Sequence, residues 1–368
     1  MNNPIYVTQP VLPELEDFIP YLEQIWKNKV LTNCGPLHQQ LEQELCDYLG
    51  VPYISLFNNG TIALVTALQA LDLGEGEVIT TPYTFVATAH SIVWNKLTPV
   101  FVDIDPHTSN IDPRKVEQAI TDKTVAILPV HCYGVPCDVD GLQKIADQND
   151  LKLIYDAAHA FGVRHQGQSL LNYGDLSVIS FHATKVFNTF EGGAIVCHSA
   201  EMKQRIDRLK NFGIVNETAI DDVSLNGKLS EVHAALGLLQ LKTIDQTLLA
   251  RKKVDALYRD FLKGVDGLHM IERQASDLDN YSYFPIVVSR GYPLSRDELF
   301  EKLKENNIFA RKYFYPLMTE LSVYKKFSSN TPNAKKLSEQ VLCLPMYPTL
   351  ANEEIQQIIN VIKEGLKQ

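Results

Sequence analysis

"SVISFHATKVFNTFEGGAIV", residues 177–196, reads as a strand, a short loop holding a single lysine, and a second strand. Val178-Ile179 on one side and Ala194-Ile195-Val196 on the other are apolar without polar alternation, as in strands covered on both faces. A lysine in a loop is ordinarily solvated. Here Lys185 stands beside a buried strand end, next to Ser180, His182 and the pair Gly192-Gly193. Ser180 and His182 are two apart and share one side of an extended segment, with Lys185 at its end. A lysine held in a poorly hydrated site beside other cations loses basicity, and its neutral amine can attack a carbonyl.

Upstream, similar apolar strands alternate with helices. "YISLF" (53–57) precedes a glycine turn and the helix "IALVTALQAL", and "EVITTP" leads to a helix around Val86–Trp94. "TPVFVDI", "TVAILPV" and "LKLIYD" follow, with helical segments between them. That rhythm predicts an α/β fold with a large, mostly parallel sheet flanked by helices, its ligands at the carboxyl ends of the strands. Residues 13–28 and 36–49 are expected to be helical, the second with Leu37, Leu41, Leu45 and Tyr48 on one face. A long helix begins near Ser230, and beyond it strands and helices mix without the earlier order. The expected division is a large domain over residues 1–245 and a smaller α+β domain over 246–368.

Composition narrows the possible partners. The chain has 368 residues, a formal net charge of −10 and no block of basic residues. Neither nucleic acid nor an anionic membrane is therefore expected as principal partner, although a local cationic site for phosphate is compatible. No apolar run has the length of a bilayer span. The N-terminal "MNNPIYVTQPVLPELEDF" lacks the regions of a secretory signal, and six cysteines are sparse and irregularly placed. These features point to the cytoplasm. Cys132 and Cys137, near His131 and Asp138, match no zinc spacing, so no metal is expected.

Three strand ends carry the chemistry. In "LFNNGTIALVTAL", Asn59-Gly60-Thr61 either caps a helix or cradles an anion such as phosphate with backbone amides and a hydroxyl. In "LKLIYDAAHAFG", Asp156 ends a strand among small alanines. It is either a helix cap or a buried carboxylate in need of a cation, for which a protonated pyridine nitrogen would serve. The third end carries Lys185. An anion anchor, a carboxylate for a ring nitrogen and an imine-forming lysine are the parts that pyridoxal phosphate requires.

"SFHATKVFNTFEGGA", "YDAAHAFG", "NNGTIAL", "TPYTFVATAH" and "RKYFYP" together resemble the sugar-nucleotide aminotransferases of the fold-type I pyridoxal phosphate enzymes, the DegT/DnrJ/EryC/StrS family. The resemblance runs from about residue 25 to the C-terminus. It implies that Lys185 binds the cofactor aldehyde and shuttles a proton, that Asp156 pairs with the pyridinium nitrogen, and that His159 lies near the ring oxygen. It further implies that Phe85 stacks on the ring and that Gly60, Thr61 and Ser180 hold the phosphate. Asn226 in "SLNGKLS" matches an asparagine that reaches the phosphate from the neighbouring subunit, which implies a homodimer with shared active sites. Lys228 stands where the family often has arginine. His182 falls near the cofactor, with no role assigned.

The substrate also follows from the resemblance. Glu191 before the glycine pair is similar to members that aminate a 4-keto sugar. The nearest of these convert dTDP-4-keto-6-deoxyglucose to dTDP-4-amino-4,6-dideoxyglucose with L-glutamate as donor, in making deoxyaminosugars for cell-surface polysaccharide. Arg311, Lys312 and Tyr313 are expected to supply charge and stacking surface for the nucleotide diphosphate. Two other functions use the same fold: a dehydratase or lyase on a keto-sugar nucleotide, and a non-catalytic regulator. Relatives that deoxygenate replace the lysine with histidine, and a pure binder needs no imine-forming amine, so Lys185 favours transamination.

Overall fold

Each apolar run forms a strand whose alternate residues feed opposite layers. A computed structural model describes residues 3–272 and 278–366. Seven strands make the main sheet: β1 (Tyr53–Phe57), β2 (Glu77–Thr80), β3 (Thr98–Phe101), β4 (Thr124–Ile127), β5 (Lys152–Asp156), β6 (Leu176–Ser180) and β7 (Gly193–Cys197). Their order is β1-β7-β6-β5-β4-β2-β3. The pairs along β6-β5-β4-β2-β3 are parallel, whereas β7 runs antiparallel to both β6 and β1. The opening stretch is thus an antiparallel pair, with Gly193 opposite Ser180 on one side and Phe57 on the other.

Period-2 geometry explains the two-sided burial. Ile54, Leu153, Tyr155, Ile179 and Val196 face one core, with Leu41 and Leu45 of the helix Pro36–Leu49 and Leu238 of the helix Glu231–Leu262. Ile154, Val178, Ile195 and Cys197 face another, with Leu64 and Leu68 of the helix Gly60–Ala70. The helix Pro36–Leu49 is anchored at its start by Glu231, whose carboxylate accepts the amides of Leu37 and His38 at 3.0 and 2.9 Å. A Cβ at Gly35 would lie 2.6 Å from that carboxyl carbon, so the close approach needs glycine.

The helix Glu231–Leu262 passes from the first core, through Ala234 and Leu248, to a separate one containing Val254, Tyr258 and Leu262. That second core backs an antiparallel sheet of β8 (Leu268–Met270), β9 (Phe284–Val288) and β10 (Val341–Leu344). Ile5 joins it too, because Ile5–Tyr6 pairs with Ile308–Phe309. Among the described residues, no helix is long and apolar enough to cross a membrane.

Candidate active site

The ends of β1, β6 and β5 lie close together because β7 alone separates β1 from β6. Gly60, Thr61, Phe85, Asp156, His159, Ser180, His182, Lys185 and Tyr313 all line one cavity there. Two glycines allow this closeness. A Cβ at Gly193 would lie 2.7 Å from the Gly60 nitrogen, and one at Gly60 would lie 3.1 Å from Ser180 Cβ. Asn59 caps the helix Gly60–Ala70, its side-chain oxygen accepting the Ile62 amide at 2.8 Å. The helix start therefore presents its positive end beside the Ser180 hydroxyl, an arrangement suited to an anion.

Lys185 follows β6 in a tight turn, its amide donating to the His182 carbonyl at 2.8 Å. Nζ reaches the Tyr283 hydroxyl at 3.4 Å. Burial lowers the amine to about 8, against the opposing pull of Asp156 and Tyr313. Roughly a tenth of it is then uncharged at pH 7, far more than of an ordinary lysine.

Asp156 ends β5, where Thr88 Oγ1 donates to one carboxylate oxygen at 2.7 Å and the Ala158 amide to the other at 3.1 Å. Because Thr88 gives its hydroxyl proton to the carboxylate, it accepts one from Thr84, 2.8 Å away. Burial pushes the Asp156 carboxyl up, while Thr88, Ala158 and Lys185 pull it down. No ion pair within 4.0 Å neutralises it among the described residues. A cationic ring nitrogen fits that need.

His159 is fixed in one tautomer. The Tyr133 amide donates to Nδ1 at 3.2 Å, so the ring proton sits on Nε2, which faces the Tyr283 hydroxyl at 3.5 Å. Burial and then Lys185 hold the ring well below the usual histidine range, hence neutral. His182 sits at the rim instead, half exposed. Its Nδ1 accepts the Thr184 amide at 3.3 Å, which turns Nε2 toward Glu191 at 3.6 Å.

Phe85, 58% exposed, forms the wall between this cavity and a second one lined by Arg311, Lys312, Tyr313 and Tyr315. Arg311 is exposed there. Lys312 is committed elsewhere: its Nζ pairs with Asp297 at 2.5 Å and lies 4.4 Å from the Phe300 ring centre. Asn226 is outside both cavities, paired through its backbone with Asn211. Sequence reading missed Thr84, Thr88, Tyr133 and Tyr283. The two threonines had a weak signal, flanking the start of the helix Val86–Trp94 in the quoted motif; the tyrosines come from distant segments and had none.

The DegT/DnrJ/EryC1/StrS aminotransferase family matches residues 14–363. The chain belongs to that family. It is 58% identical to the dTDP-4-amino-4,6-dideoxy-D-glucose transaminase of Shigella dysenteriae over 99% of this chain and 100% of that one. The crystal structure of DesI in the presence of its TDP-sugar product superposes with a TM-score of 0.95 at 33% identity, covering 100% and 94% of the two chains. Sugar aminotransferase Spr1654 of Streptococcus pneumoniae, in its PMP form, gives 0.92 at 26%, covering 99% of this chain and 98% of that one. The cofactor of this aminotransferase family is pyridoxal phosphate, which when bound supplies an aldehyde for the lysine and an electron sink for carbon–hydrogen cleavage. The cavity residues fit it: an amine of lowered basicity, a buried carboxylate with no ion pair among the described residues, and an anion cradle at three neighbouring strand ends.

Proposed function

We propose that this aminotransferase moves the amino group of L-glutamate to C4 of a nucleotide-linked 4-keto-6-deoxy sugar, dTDP-4-dehydro-6-deoxyglucose, giving dTDP-4-amino-4,6-dideoxyglucose. The observation that carries the reading is the full-length identity of 58% to a transaminase named for that product, with Lys185 lining the pocket. Lys185 Nζ, whose basicity burial lowers, is the atom that accepts and returns the proton of the reacting carbon. Asp156, oriented by Thr88, holds the ring nitrogen's charge, and His159 offers Nε2–H from a fixed neutral ring. Gly60, Thr61 and Ser180 bind the phosphate, and Phe85 stacks on the ring, adding on the order of 1 kcal/mol beyond burial.

Arg311 and Tyr313 receive the nucleotide diphosphate in the adjoining cavity. Lys312 joins them by releasing Asp297. Asn226 completes the phosphate site of a partner copy, so the working unit is a homodimer in the cytoplasm. Each chain divides near residue 245. A buried amine at position 185 favours transamination over dehydration and over a purely regulatory role.

The test is a panel of dTDP-, UDP- and GDP-linked keto sugars incubated with glutamate, with products identified by mass and NMR. Amination of the dTDP-4-keto-6-deoxyglucose isomer, with stoichiometric 2-oxoglutarate, is expected. Amination of a 3-keto sugar alone, or loss of a hydroxyl without 2-oxoglutarate, would replace this reading.

A further inference from the structure

Tyr283 lines the cavity from outside the large sheet, immediately before β9, and is buried. The turn that delivers it is clamped to the opposite wall. The side-chain amide of Asn280, itself fully buried, donates to the carbonyls of His159 and Phe161 at 2.7 and 2.9 Å. The Ser282 hydroxyl lies 2.8 Å from the same His159 carbonyl, and the Ser282 amide donates to Asn280 Oδ1 at 3.1 Å. The Tyr283 ring is then boxed by three others, its centre 4.7 Å from that of His159 and 5.8 Å from those of Tyr133 and Tyr313. A ring so enclosed keeps its hydroxyl in one place.

That place is between two groups of the site: His159 Nε2 at 3.5 Å and Lys185 Nζ at 3.4 Å. Both distances are at the long end, as is common for catalytic hydrogen bonds before substrate binds. Nζ makes no other hydrogen bond among the described residues. The fixed tautomer of His159 sets the direction of the first contact: Nε2–H donates and the phenol oxygen accepts. The phenol keeps its own proton and a second lone pair for the amine. It can accept from an ammonium and donate to a neutral amine, which suits a base that alternates between the two forms. Burial raises the phenol well above its usual range, so it stays protonated throughout.

We propose that Tyr283 is a positioning residue that holds the Lys185 amine during proton transfer, its hydroxyl turning from donor to acceptor as the amine gains its proton. The assignment rests on Lys185 as the proton carrier of the reaction proposed above. When the carbon–hydrogen bond breaks, its electron pair stays behind and the proton goes to the Nζ lone pair. The resulting ammonium donates to the phenol oxygen. When Nζ returns the proton to carbon, the phenol O–H turns back toward the freed lone pair. The phenol itself gains and loses nothing.

Tyr283→Phe keeps the boxed ring and removes only the hydroxyl. Enzyme loaded with pyridoxal phosphate is mixed with glutamate alone, and the single turnover is followed by the cofactor's absorbance, with ordinary and with 2-deuterated glutamate. The variant is expected to react about tenfold or more slowly, with its affinities for glutamate and pyridoxal phosphate changed less than about twofold. Its deuterium isotope effect should exceed that of the wild type, because proton transfer has become the slower step; lost packing would move the affinities instead. In cofactor-free protein, the pH profile of Lys185 acetylation, read by mass spectrometry, should inflect at about 8 in the wild type. In Tyr283→Phe the inflection should fall by about half a pH unit or more, since the charge-assisted bond to the ammonium is the stronger of the two removed. Asp156, Tyr313 and His159, the other titratable groups facing Nζ, are the same in both proteins. A wild-type rate and isotope effect in the variant, or an unmoved profile, would overturn the assignment. Lys185→Ala separates the two readings. If it turns glutamate over at the wild-type rate, the proton carrier itself is wrong and Tyr283 falls with it; an inert Lys185→Ala beside an unimpaired Tyr283→Phe removes Tyr283 alone.

Discussion

Lys185 and Asp156 share one cavity that moves their basicity in opposite directions: burial disfavours charge on both, and a cationic ring with an anionic tail would relieve the pair. This has a measurable consequence without cofactor. On unfolding, the amine returns to about 10.4, so between about pH 8 and that value the unfolded chain binds a proton that the folded one lacks. Stability of the cofactor-free protein therefore rises with pH through that window, by up to about 3 kcal/mol from this group. Denaturant unfolding near pH ~7.5 and ~9.5 should show the rise in the wild type and a flatter response in Lys185→Met; equal responses would mean that the amine is hydrated in the fold. At the neighbouring cavity, Arg311→Ala should raise the KM for the sugar nucleotide about tenfold or more, with that for glutamate changed less than about twofold. Equal changes in both constants would remove Arg311 from the nucleotide site.

At the scale of elements, the close passage of β7 beneath the turn before the helix Gly60–Ala70 is the constraint that bears on the site. A methyl group at Gly193 has no room, because the Gly60 nitrogen would be 2.7 Å away. Gly193→Ala should raise the Kd for pyridoxal phosphate at least about tenfold while leaving far-UV dichroism unchanged. Unaltered affinity, read by absorbance titration, would show that the turn yields without disturbing the anion cradle. The strands themselves were legible because residues such as Leu153 and Ile154 are both apolar yet serve opposite cores. The glycine pair, Asp156 and Lys185 were legible because each stands at the end of such a run. The direction of β7 was not, since strand composition is the same either way. Thr88 escaped notice because a helical threonine ordinarily spends its hydroxyl locally, whereas this one reaches Asp156.

At the scale of the whole molecule, the position of Asn226, outside its own chain's cavities, makes the dimer a question that activity can answer. Co-expressing Asn226→Ala and Lys185→Ala chains, each inactive alone, should restore about a quarter of wild-type activity by random pairing if sites are shared, since one site in each mixed dimer is then intact. No recovery would confine Asn226 to its own chain. Thr88 and Tyr283 show why such placement exceeds what a sequence displays: they come from distant segments, yet Thr88 reaches Asp156 and Tyr283 reaches Lys185, two residues of one cavity.

The loop between β6 and β7 begins and ends on one ladder pair, Ser180 with Gly193, and is closed again where Phe181 donates to Gly192. Its two feet are bolted together. Exposed residues of its rim can therefore be exchanged without moving any other strand, while Phe181, Val186 and Phe187 root the loop in the core, and the amine, the rim histidine and Glu191 travel as a single cassette. Asp156 and Gly60, standing on separate strands, act as fixed sockets into which such cassettes plug.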